Sequence, residues 1–175
     1  MLDTTAIPQA DLLWDVARVA EAVAGGATTP SAIGAYLGAK GERQGNYYMQ
    51  AARLLGLVQD GGWADELTLT RSGKVFLAAN RDERRDLLRR AVLHVAPARE
   101  VLQRVASRGG MDRDSIAALL QSLAPISAST ARRRTQTVTA WLCTAGLAVW
   151  NDGRLMARYA PRQRPTMVQS AAAPF

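Results

Sequence analysis

The chain has 175 residues, 48% apolar and 21% charged, which suits one ordinary domain or two small ones and excludes a wholly disordered chain. A net charge of +7 favours a polyanionic partner, and it is unevenly placed: residues 1–80 hold 6 Lys/Arg against 8 Asp/Glu, residues 81–175 hold 16 against 7. The single cysteine, Cys143, excludes an intrachain disulfide and a cysteine-based zinc cluster, and with no export signal and no long apolar run the expected setting is cytoplasmic, away from membranes.

Residues 8–24 read as a first helix, with Pro8 in its first turn, an apolar stripe from Leu12 to Val23, and Gly25-Gly26 as its stop. Thr29 then caps a short helix with Pro30 at its first position and Ile33 and Leu37 facing in. A third helix runs from about Glu42 to Leu55, with Tyr48, Ala51, Ala52 and Leu55 inward and Gly56 as terminator. Two short strands around Gly61-Gly62-Trp63 follow. Trp63 either packs its own hairpin or wedges against sugar or base. Three helices and a hairpin make a winged helix-turn-helix, and Leu69-Thr70-Arg71-Ser72-Gly73 resembles the segment that follows the wing in many such proteins.

Residues 81–108 read as a charged connector of two helices parting near Ala96-Pro97, where Arg84, Arg85, Arg89 and Arg90 either touch phosphate or, interleaved with Asp82, Glu83 and Asp86, make the favoured ion-paired solvent face. The first pattern then returns. Gly109-Gly110 breaks the chain, Asp112 caps a short helix, and a long amphipathic helix from about Ser129 runs to Ala145-Gly146, ahead of a hairpin at Asn151-Asp152-Gly153. An offset of 90 residues lays Tyr48, Ala51, Ala52, Leu55 and Gly56 on Val138, Trp141, Leu142, Ala145 and Gly146. The expected organisation is a first winged-helix unit at 1–80, the connector at 81–108, a second unit at 109–160 and a disordered tail at 161–175. The fold class is mainly α with small β-hairpin wings, two winged helix-turn-helix units in tandem.

The same offset aligns the outward faces. Arg43 falls on Arg133 and Asn46 on Gln136, with Gln50 and Arg53 beside the first pair and Ser129 and Arg132 beside the second. Arginine pairs bidentately with guanine and Asn or Gln with adenine, each good pair giving ~1–3 kcal/mol of discrimination. Successive residues turn by about 100° on a helix, so Arg132, Arg133 and Arg134 divide between phosphate and groove. Tyr47 is expected on phosphate and Tyr48 in the core, while Arg154 at the second turn is either a minor-groove contact or a plain turn residue. Catalysis finds no support: no His pair, no Cys/His set, no phosphate-binding glycine loop, and neither Lys40 nor Lys74 follows an acidic residue at the spacing of a nuclease centre. No enzyme, no cofactor and no metal are expected.

Residues 43–58, with Arg43-Gln44-Gly45-Asn46-Tyr47-Tyr48, and residues 129–142, with Ser129-Thr130-Ala131-Arg132-Arg133-Arg134-Thr135-Gln136, resemble the tandem winged-helix DNA-recognition region attached to some Type II restriction endonucleases and related bacterial defence proteins. The likeness covers roughly residues 8 to 157. It implies sequence-specific binding of double-stranded DNA through both helices, by a transcriptional regulator or by the recognition subunit for a nuclease or other defence protein on a separate chain. No nuclease domain accompanies it here. The competing reading is a winged-helix module for protein–protein interaction.

Overall fold

Residues 1–39, 41–62 and 66–158 are described by a computed structural model, and the expectations for Trp63 and for the tail at 161–175 lie outside them. The described residues form eight α-helices and two antiparallel two-stranded hairpins. In chain order these are α1 (Leu13–Ala24), α2 (Pro30–Leu37), α3 (Glu42–Leu54), β1 (Val58–Asp60), β2 (Leu67–Leu69), α4 (Arg71–Ala78), α5 (Arg81–His94), α6 (Ala96–Ser107), α7 (Arg113–Leu123), α8 (Ala128–Thr144), β3 (Ala148–Asn151) and β4 (Arg154–Ala157). None of the helices is long and apolar enough to cross a membrane.

Local chemistry accounts for most of the boundaries. Thr29, Thr70, Asp112 and Ser127 each accept a first-turn N–H into a side-chain oxygen, and Asn80 forms a reciprocal capping box with Glu83. At the other ends, α3 and α8 close alike. Leu57 donates to the Ala52 carbonyl and Leu147 to that of Leu142, over Gly56 and Gly146, both at φ +68°. A non-glycine residue would be strained at either glycine.

The succession of three helices and a hairpin occurs twice, as α1-α2-α3-β1-β2 and as α6-α7-α8-β3-β4. Its first part repeats at an offset of 83 residues, since Thr29 and Asp112 cap, and Ile33 and Ile116 are buried, at equivalent places. Its second part repeats at 90. The growth lies in the helices: α2 and α3 have 8 and 13 residues, α7 and α8 have 11 and 17. Because α6 packs on α7, α8 and β4, the second succession begins inside the stretch read as a connector. The connector proper is α4 and α5. Within it Arg84 leaves the helix surface to pair with Glu21 at 2.8 Å, and Arg89 donates to the Ala145 carbonyl at 3.0 Å, so only Arg85 keeps a local ion pair, with Asp82.

One apolar core runs through both halves, from Val16, Val19 and Ile33 through Met49, Ala52 and Phe76 to Val101, Ile116, Trp141 and Leu142. In α3 the buried positions are Gly45, Met49, Ala51 and Ala52, which leaves Tyr48 half-buried where core was expected. Gly45 is needed because α2 and α3 touch there: a Cβ at that position would run into the Pro30 carbonyl oxygen. Gly45→Ala should therefore lower stability by about 3 kcal/mol, since backbone cannot yield as a side chain does. A urea midpoint within experimental error of the parent would show that α2 and α3 part without cost.

The first helix is the main departure from the sequence expectation. Residues 8–12 are not helical and α1 starts at Leu13, after an extended strap that includes a 3-10 turn at Thr4–Ala6. Ile7, Pro8 and Ala10 are buried, while Leu12, expected in the apolar stripe, is exposed. The physical reason lies at the far end of the chain. The carbonyls that a helix would use internally are taken by side chains of α8.

Candidate nucleic-acid interface

The strap lies between α3 and α8 and is held from both sides. The indole Nε1 of Trp141 donates to the Ala10 carbonyl at 2.8 Å, and the Thr137 hydroxyl donates to the Asp11 carboxylate at 2.7 Å. Arg134 donates through Nη1 to the carbonyls of Ile7 and Thr4. From the α3 side Gln50 donates to the Thr5 carbonyl at 3.3 Å, and at the start of the strap the Leu2 N–H donates to the carbonyl of Leu123, at the end of α7, at 2.7 Å.

These bonds sort the three consecutive arginines of α8. Arg134 is 8% exposed, and its guanidinium is spent on the strap, which removes it from the set expected to touch DNA. Its burial pulls its pKa below the usual arginine range, an effect that neighbouring Arg133 reinforces and Tyr47 opposes. Arg132 and Arg133 are fully on the surface, as are Ser129 and Gln136. Arg133 and Gln136 stand three residues apart on one exposed stripe of α8, a spacing that puts both side chains on one side.

The α3 face is more self-occupied. Arg43 and Asn46 are exposed, but Arg43 donates through Nε to the Tyr47 hydroxyl at 2.7 Å and lies over that ring, 5.6 Å from its centre. Arg53 pairs with Asp60 of β1 at 2.6 Å, which ties the helix to its own hairpin. Gln50 and Arg53, expected at a DNA surface, are thus engaged within the protein. Tyr48 points toward α1, where burial raises its pKa, aided by Asp15 and Asp11.

Tyr47 is where the two faces meet. It lines an open cleft of ≈ 230 Å³ with Arg133, Arg134, Gln136 and Thr137 of α8 and with Gln9 and Asp11 of the strap. Residues 90 apart in sequence are thereby brought onto one surface, with Asp11 the one acidic group of the lining. At the second hairpin, Asp152 and Gly153 both have positive φ, the backbone of a two-residue turn, and Asn151 pairs with Arg154. Arg154 donates back to the Gly110 carbonyl at 2.7 Å. It anchors the hairpin to the α6–α7 turn, so its expected reach into a minor groove requires that bond to break.

The sequence reading missed the strap and, with it, the structural use of Arg134 and Thr137. It also missed Arg113, exposed at the first position of α7 and stacked 4.7 Å from the ring centre of Trp150. Among the described residues no group of His, Cys, Asp or Glu is placed to hold a metal ion.

A family model described as a domain of unknown function (DUF7226) matches residues 31–143, well over half of the chain. The matched stretch starts in α2 and stops one residue before the end of α8, so it contains both exposed faces and everything between them. No curated protein and no solved structure matches the chain.

Proposed function

The chain belongs to the DUF7226 family, and we propose that it reads duplex DNA, with α3 and α8 as the two reading helices of tandem winged-helix units. The observation that carries this is the exposed pair Arg133 and Gln136, on the third helix of a unit that ends in a hairpin, opposite Arg43 and Asn46 at the repeated positions. Guanidinium and carboxamide at one-turn spacing match the donor and acceptor pattern of a major groove. The excess of basic residues after position 80 supplies the long-range attraction.

The two helices contribute unequally. α8 carries Arg132 and Arg133 free of partners among the described residues, whereas Arg43, Gln50 and Arg53 of α3 are already bonded. The second unit accordingly supplies most of the affinity, and the first extends the site. The role is a regulator, or the recognition subunit for a nuclease or other defence protein on a separate chain. Self-engagement of the α3 face and the acidic balance of the first 80 residues favour one further role for that unit, contact with a partner protein.

Selection from a randomised duplex pool at near-physiological salt tests the reading. We expect an enriched motif without palindromic symmetry, because the two reading helices are not identical, and a steep fall of log K with log salt. Retention without a motif would reduce the protein to a phosphate binder. No retention would reject DNA and leave the interaction module.

A further inference from the structure

Three threonines of α8 are buried, and two of them are satisfied. Thr137 donates to Asp11, and Thr139 donates to the Gln136 carbonyl at 3.2 Å, the back-bond that helical threonines commonly make. Thr135 does neither. It is 2% exposed and its hydroxyl has no hydrogen-bond partner among the described residues. Burying a hydroxyl without a partner is costly, and such a group in a folded protein calls for one.

Thr135 lines a pocket of ≈ 250 Å³ with Arg132 of α8 and with Arg113 and Asp114 of α7. Those last two are the first residues of an 11-residue helix whose cap, Asp112, satisfies the Ser115 N–H and leaves that of Arg113 outside the helix's own bonding. The first turn of α7, Arg113, Arg132 and the buried Thr135 thus line one space, with Asp114 the single anion of the lining. The first unit supplies an internal control. At the equivalent places it has Pro30 for Arg113, Glu42 for Arg132 and Gly45 for Thr135, and Gly45 lies flush against the Pro30 carbonyl.

We propose that the α7–α8 junction is a phosphate pocket of the second unit, taking one backbone phosphodiester of duplex DNA between Arg113, Arg132 and the Thr135 hydroxyl. This rests on the DNA reading above and adds to it a contact that carries no sequence information. It fixes the register of α8 on the duplex while Arg133 and Gln136, farther round the same helix, face the bases.

The test uses the full chain and Thr135→Val, which keeps the side-chain shape and removes the donor. Inorganic phosphate is titrated at constant ionic strength, against chloride, while the amide signals of Asp114 and Thr135 are followed by NMR. Saturating shifts in the millimolar range are expected with phosphate alone, and about tenfold weaker binding in Thr135→Val. Affinity for duplex DNA should fall by about the same factor, equally on a selected and on a scrambled sequence, with thermal stability kept or raised. Arg132→Ala, a surface change, should also weaken phosphate binding and lower the salt slope by about one. Phosphate binding with unchanged DNA affinity in both variants would assign the pocket to free phosphate or a phosphomonoester and overturn the backbone assignment. An absence of phosphate shifts with unaltered DNA binding would overturn the pocket while leaving the DNA reading intact. A parent chain that binds phosphate but no DNA would reject the DNA reading and, with it, the backbone source.

Discussion

Replacing Arg133 and Gln136 together by alanine will reduce affinity for the selected duplex by on the order of a hundredfold and relax preference at adjacent base positions. The figure follows from two bidentate contacts at ~1–3 kcal/mol each, taken at less than their sum because the two side chains share one stretch of groove. Both residues are exposed and neither side chain makes a hydrogen bond among the described residues, so folding should be unaffected. Fluorescence anisotropy on the selected duplex and on a scrambled one separates the possibilities. A loss confined to the selected duplex identifies base readers. An equal loss on both would make them phosphate contacts, and no loss on either would remove α8 from the interface. The matching change on α3, Arg43→Ala with Asn46→Ala, should cost less, because Arg43 must leave the Tyr47 hydroxyl before it can reach a base.

The second large effect is on stability. Arg134→Met keeps most of the apolar stem but leaves the Ile7 carbonyl without its side-chain donor and the Thr4 carbonyl with the Ile7 N–H alone, at a position that water barely reaches. Charge-assisted bonds to buried groups contribute ~1.5–3 kcal/mol each, and removing one partner leaves the other uncompensated. A loss of roughly 3 kcal/mol in urea denaturation is expected, with faster amide exchange along residues 1–12. If the variant instead melts with the parent and its strap amides stay protected, Trp141 and Thr137 hold the segment and Arg134 is incidental. Because the Arg134 guanidinium is spent on the strap, any loss of DNA binding in this variant should track the loss of amide protection along residues 1–12.

The contrast between these two predictions shows where the sequence was informative. Thr29-Pro30, Thr70, Asp112 and the glycines after α3 and α8 act on backbone within four residues of themselves, so their effect can be read from order alone. Periodicity likewise selects Ala51, Ala52, Val138 and Trp141 as core. It is less able to choose at the edge of a stripe, which is how Tyr48 took the inward place that belongs to Met49. The division of Arg132, Arg133 and Arg134 follows from what each one meets, and Arg134 meets carbonyls 127 and 130 positions away. Pro8 is a second case: proline suits the first turn of a helix, and only the distant donors of α8 keep residues 8–12 out of one. The strap has no local signature. Its hydrogen bonds to α8 are side chain to backbone or side chain to side chain, whereas a strand would have announced itself by alternation.

The strap also sets a clock. Residues 2–11 leave the ribosome well before the side chains of Arg134, Thr137 and Trp141 that receive them, which are more than 120 residues behind. At ~5–20 residues per second, the opening segment waits on the order of ten seconds with Ile7, Pro8 and Ala10 uncovered. Its closure is the longest-range event in the chain, and long loops close slowly relative to helix formation. The helices of the first unit can assemble in that interval, yet the surface shared by Tyr47 and Arg133 does not exist until the strap is seated. Any activity that depends on both helices therefore switches on late, in one step, with the docking of a segment made more than 120 residues earlier.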